Sequence, residues 1–224
     1  MDPLASLCLG SAAFIATHFV SSTPLRGTLV RAVGEKGYLG LYSLAAFATL
    51  GWMIWAYARA PLEPLWPGLT LLPALVMPFS LILLACGLFS RNPTLVGAER
   101  LLQNADPARG VIRVTRHPMM WGFVLWAAAH LLARGELKAT VFFGTFLVLA
   151  ALGALLIDRR KARALGADWQ RFAAVTSYFP FLAILQGRNR LNAGEIGWRN
   201  PAIGLALYAL LFWLHPTFFG ARPY

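Results

Sequence analysis

Charge is what this sequence has least of. Only 13% of its 224 residues are charged, about half the roughly 25% of a soluble domain, so a water-solvated surface of ordinary composition is excluded. Acids are scarcer still, nine against twenty Lys and Arg, which leaves few carboxylates for paired acid–base chemistry. Cysteine occurs twice, at Cys8 and Cys86. With neither a CxxC nor a CxxCH motif, thiolate metal centres, dithiol redox chemistry and covalently attached haem are excluded. Both cysteines fall in apolar runs and read as buried thiols of no special reactivity. Alternating strand patterning is absent, which removes a membrane β-barrel. No internal repeat, low-complexity segment or separable soluble domain is present.

What the chain has instead is apolar length. Hydrophobic residues make up 58% of it, with a mean hydropathy of +0.60. A spanning helix needs about 20 apolar residues, each rising about 1.5 Å through a core of about 30 Å. Six runs qualify: residues 4–22, 38–58, 69–89, 119–133, 139–157 and 201–219. The fourth is short and reads as starting earlier, near Val111. Residues 172–185 are too few to span and read as interfacial or re-entrant. Backbone groups in lipid must be satisfied within the segment, so the fold class is all-α: a polytopic transmembrane bundle of about six spans, one integral membrane domain over 1–224. Met1-Asp2-Pro3 lacks the positive start of a cleaved leader, so the first run is expected to be retained.

The net charge of +11 suggests nucleic acid until its placement is read. Apart from Arg59, Arg134, Lys138 and Arg222, every Lys and Arg falls in three loops on one side of the six spans. By the positive-inside rule that side is cytoplasmic, and the charge serves topology and anionic headgroups rather than DNA or RNA. The expected location is a bacterial inner membrane, multi-pass, with both termini periplasmic. The long loops 90–118 and 158–200 build the basic face. The second opens with a basic helical stretch, Asp158 to Phe172, whose Ala162, Leu165 and Trp169 recur at helical spacing, as in a helix lying along headgroups.

Ionisable residues inside spans carry a functional hypothesis by default, and the four histidines fit best: His18, His117, His130 and His215. Neutral imidazole is the usual ligand of b-type haem. His117 and His130 share one helix, 13 residues and roughly 20 Å apart, so they cannot share an iron. Depth sorts the four into two tiers, His18 with His117 and His130 with His215, and depth alone favours a His18–His117 pair. The sharpest local motif is Arg116-His117-Pro118-Met119-Met120-Trp121-Gly122. Pro118 suits a first helical turn, placing Arg116 and His117 at a helix mouth with free N–H groups that favour an anion or carboxylate.

Three blocks resemble the NnrU family: His18-Phe19-Val20 to Pro24-Leu25-Arg26, Gly34-Glu35-Lys36-Gly37-Tyr38-Leu39-Gly40-Leu41-Tyr42-Ser43, and Gly110 to Gly122 continuing through Trp126 to His130. The resemblance covers about 4–160, and the basic loop and last span, 158–224, follow it. The family's name is associated with nitrite and nitric oxide metabolism in denitrifying bacteria. Its plant and cyanobacterial relative, zeta-carotene isomerase, uses b-type haem. The resemblance implies haem ligation by His18 and His130, with isomerisation of a lipophilic polyene or a nitrogen-oxide-linked redox role as the activity. With haem bound, Arg116 at the cytoplasmic mouth of the fourth span is expected to pair with a haem propionate. A cysteine that can replace a ligand in the isomerase corresponds to Ala127 here, so that ligand switch is not available.

The motif also resembles membrane methyltransferases related to isoprenylcysteine carboxyl methyltransferase. That reading uses S-adenosylmethionine in a pocket lined by Arg116, His117, Gly122 and Asp158. The paired glutamates of that family are missing, with Ile157-Asp158 in their place. A third reading is a non-catalytic membrane scaffold for denitrification proteins. The residues alone identify no protein partner.

Overall fold

A computed structural model describes residues 1–223. The chain forms helices α1 (Pro3–Val20), α2 (Leu25–Arg59), α3 (Leu72–Phe89), α4 (Pro118–Arg134), α5 (Leu137–Val175), the short α6 (Leu182–Leu185) and α7 (Ala193–Ile196), and α8 (Arg199–Phe219). The described residues contain no β-strand, and Glu99–Gln103 and Gly110–Arg113 form 3-10 turns. Local chemistry sets the ends. Asp2 caps α1 by accepting from the Ala5 amide at 2.9 Å, Pro118 opens α4, and Gly135, at φ 60°, closes it in the left-handed region.

Five helices (α1, α2, α3, α5 and α8) are long and apolar enough to cross a membrane. The 17-residue α4, about 25 Å long, makes the sixth, so the all-α, multi-pass fold is as expected. Neighbours run in the order α2, α1, α5, α4, α3, α8, so α2 and α8 end a row and bury the least. Small residues bring the row together. A Cβ on Gly204 of α8 would lie 2.6 Å from Ile82 Cα on α3, and one on Gly87 of α3 would lie 2.5 Å from the Met119 amide of α4. Backbones this close gain dispersion contacts that lipid tails do not supply.

Several boundaries differ from the sequence reading. The second helix begins at Leu25 and breaks at Gly34 (φ 75°, ψ 167°), so residues 25–33 form a separate leg before the span. The fourth helix begins at Pro118, not near Val111, because residues 110–113 close into a 3-10 turn instead. The fifth runs past residue 157 and breaks only at Gly166 (φ 50°). Its basic extension turns Trp169 and Phe172 onto other protein segments rather than leaving that face bare. Trp169 and Phe172 pack with Cys86, Leu102, Val111 and Ile112 in a core beneath the loops, while buried Lys161 donates to Pro93 O, Leu95 O and Glu99. Residues 172–185 form no membrane-length helix of their own. They fold back so that Ser177 O accepts from the Arg116 amide and Val114 O from the Phe181 amide. The loops thus make a protein cap over one end of the row. Cys86 is buried in it, but Cys8 is exposed on α1, which corrects the reading of both thiols as buried.

Candidate functional site

Arg116 and His117 stand where the sequence puts them, at the mouth of α4, and the carboxylate they attract is the protein's own. Asp158, on the cap side of α5, accepts from His117 Nε2 at 2.6 Å with one oxygen and from Arg116 Nε at 2.9 Å with the other. Arg116 Nη1 reaches Thr176 O and Oγ1 at 3.2 and 3.3 Å. Thr115 Oγ1 donates to Tyr178 O at 2.7 Å, and Trp121 Nε1 to the same oxygen at 2.8 Å. The His117 side chain is only 1% exposed and that of Asp158 16%, so the charges meet in a poorly hydrated place. Burial pushes the Asp158 carboxyl up, but the hydrogen bond and charge of His117, with the Arg116 guanidinium, outweigh it and hold the group below its ordinary value.

This cluster clamps three segments together: the start of α4, the part of α5 just beyond the fifth apolar run, and the returning loop at 176–178. Arg116 is engaged through Nε and Nη1, and each Asp158 oxygen accepts one hydrogen bond, from His117 or from Arg116. Gly122 faces α3, where a Cβ would meet Ser80 O at 2.9 Å, so it serves helix contact rather than a cofactor pocket.

His18 and His130 lie elsewhere, along a row of aromatic rings. The His18 ring packs on Phe14 at 4.3 Å, Phe14 on Phe146 at 5.4 Å, Phe146 on Trp126 at 5.1 Å, and Trp126 on His130 at 5.7 Å, between ring centroids. Tyr42 borders His18 edge-on, and Phe143 stacks on His130. Each imidazole is tied the same way: Nδ1 lies 2.8 Å from the carbonyl four residues back, Phe14 O for His18 and Trp126 O for His130. A carbonyl only accepts, so Nδ1 carries the proton and Nε2 presents a bare lone pair. That is the tautomer a metal or a proton donor would meet.

Phe14 and Trp126 meet at Phe146, so His18 and His130 stand at the two ends of one row. Among the described residues the two imidazoles are joined through these rings and are not in direct ring contact, and each has the chemistry of a metal ligand. The His18–His117 pairing suggested by depth is not assembled, because His117 Nε2 belongs to Asp158. His215 Nδ1 lies 2.7 Å from Ala221 O, at the opposite end of α8 from the cap. Among the described residues, no three His, Cys, Asp or Glu side chains gather as a metal centre.

Sequence reading gave no role to Thr115 or Thr176, which act through contacts 60 or so positions apart. Phe14 and Trp126 had a signal that went unused: each stands four residues before a histidine, on the same helical face.

Comparison with known proteins agrees with the sequence motifs. Curated relatives include the chloroplastic 15-cis-zeta-carotene isomerase of Arabidopsis thaliana, 38% identical over 115 residues, which cover 50% of this chain and 31% of that protein. The maize (Zea mays) protein of the same name is 32% identical over 110 residues, 48% of this chain and 30% of its own length. The matched segment thus spans about a third of these relatives. No solved structure matches. The family model described as NnrU protein covers residues 6–223, and the chain belongs to the NnrU family.

Proposed function

We propose that this protein binds an extended, conjugated lipophilic molecule along the aromatic row between His18 and His130 and promotes cis–trans isomerisation of one of its double bonds. The observation that carries the reading is the row itself: flat rings on three membrane helices, bounded at each end by an imidazole whose Nε2 is bare. Conjugated chains gain dispersion contact against aromatic faces, and the half-buried rings keep water from the reacting bond. The relatives' name supplies the substrate class, a 15-cis polyene.

Isomerisation moves no atoms between molecules, so the residues need only hold the polyene and lower the barrier to rotation. Phe14, Phe146 and Trp126 would position it. Tyr42 and Phe143 would bracket its ends beside the two histidines. Haem held by histidine would add a redox-active iron to a site whose own residues are redox-inert. The proposed setting is a bacterial inner membrane with the cap in the cytoplasm, supported by the basic residues on that face.

The test is to incubate detergent-purified protein with a 15-cis polyene such as 15-cis-zeta-carotene, in air and after dithionite, and to separate isomers by chromatography. Loss of the 15-cis form, reduced in His18→Ala and His130→Ala, is expected. Absorption spectra of the same samples report haem: a Soret band lost in one variant only identifies a single ligand. Unchanged isomer ratios under both conditions, with no polyene retained by the protein, would sink the proposal.

A further inference from the structure

The cap contains two adjoining cavities that the aromatic row does not use. The larger, about 630 Å³, is lined by Ser90, Arg91, Asn104, Arg109, Glu195 and Asn200, among others. The smaller, about 450 Å³, includes Arg113, Arg171, Arg188 and Asn189. Asn104, Ala105, Asp106 and Pro107 line both and form their common wall.

The carboxylates here are already committed. Glu195 accepts from Arg113 Nε at 2.8 Å and from the Gly110 amide at 2.9 Å, while Asp106 accepts from Arg113 Nη2 at 2.6 Å. Both acids therefore converge on Arg113. Arg171 pairs outward with Asp168. Arg188 donates to the carbonyls of Ala173, Ala174 and Thr176 and to Gln186, but to no carboxylate. Arg91 and Arg109 are exposed, and neither side chain makes a hydrogen bond or ion pair among the described residues; Arg109 feels the charge of Glu195 in the same wall without being bonded to it. Guanidiniums with open N–H groups facing one cavity are a forked donor set for phosphate oxygens.

Position sharpens the chemistry. Ser90 ends α3 and Asn200 opens α8, and Asn200 Nδ2 donates to Ser90 Oγ at 3.1 Å. The larger cavity therefore lies where two spans leave the bilayer, with the positive end of the 21-residue α8 beside it. Its volume exceeds that of a bare phosphate and suits a phosphate ester.

We propose that the larger cavity binds a phosphate-bearing anion through Arg91 and Arg109, taken either from a lipid headgroup in the adjoining leaflet or from a soluble phosphate compound. The experiment uses the full chain and the double variant Arg91→Gln/Arg109→Gln, with Arg59→Gln at the end of the row away from the cap as the charge control. One arm reinserts each protein into nanodiscs of phosphatidylglycerol or phosphatidylcholine and counts retained lipid by native mass spectrometry. The other titrates inorganic pyrophosphate into detergent-solubilised protein by calorimetry. Both substituted residues are exposed, so unchanged melting temperatures are expected. Preferential retention of phosphatidylglycerol, reduced about tenfold or more in the double variant only, supports the site with a lipid source. Pyrophosphate binding lost in the double variant without any lipid preference supports it with a soluble source. Equal behaviour of wild type and double variant in both arms, or an equal loss in Arg59→Gln, overturns the proposal.

Discussion

Asp158 meets His117 across the junction of α4 and α5, with Oδ1 2.6 Å from Nε2, while Arg116 holds the second oxygen of the same carboxylate at 2.9 Å. Their 41-residue separation in the chain makes this contact a clamp on the tertiary fold rather than a local feature. Replacing Asp158 with Asn keeps the shape but removes the charge from between a buried imidazole and a guanidinium. A loss of about 2–3 kcal/mol is expected, read as a lowered melting temperature in detergent. A melting temperature within error of wild type would show that the clamp contributes nothing.

Acid should loosen the cap before it affects the spans. Arg113 and the Gly110 amide hold Glu195 down from its ordinary 4.5 to about 2. A carboxylate depressed on folding stabilises the fold above its unfolded value, and that contribution is lost as pH falls from 4.5 toward 2. Asp158 shifts in the same direction. Tryptophan fluorescence followed against pH should show a transition in that window, carried by Trp169 in the cap core. Glu195→Gln should flatten it, and an unaltered titration in that variant would refute the assignment.

Gly204 should tolerate no side chain. A Cβ there would sit 2.6 Å from Ile82 Cα and 2.7 Å from Leu81 O, backbone atoms that cannot swing aside. Gly204→Ala should cost about 1–3 kcal/mol by forcing α8 off α3. Gly153→Ala, where the added carbon meets nothing within 4 Å, should be neutral. Equal melting temperatures for the two variants would contradict the close α3–α8 crossing.

Phe146 is the ring at which α1, α4 and α5 meet, touching both Phe14 and Trp126. Phe146→Ala should open the middle of the row and lower polyene isomerisation roughly tenfold to hundredfold through misplacement of the bound chain. Helix content by circular dichroism should persist, since five other spans are untouched. Full activity in this variant would move the substrate away from the row.

Spans and the mouth of α4 were legible in the sequence because each is a property of neighbouring residues. Apolar length sets a span, and Pro118 sets a first turn. The breaks at Gly34 and Gly166 were less legible. Glycine permits a positive φ anywhere, and only packing decides which glycine uses it. The basic stretch after Asp158 read as a headgroup helix, because helical spacing says which face is apolar and not what covers it. The cap covers it, burying Trp169 and Phe172.

By itself, then, the sequence determined that the chain is an all-α membrane protein, which residues are rare enough inside it to carry chemistry, and which family's motifs it bears. The tertiary structure alone decided how those residues group. It joined His117 to Asp158 and Arg116 and strung His18 and His130 along one row of rings. That row exists because α1, α4 and α5 meet at Phe146, and no local pattern encodes such a meeting. Partnership between side chains 40 to 140 residues apart depends on which helices pack together and at what height, and only the folded chain fixes both.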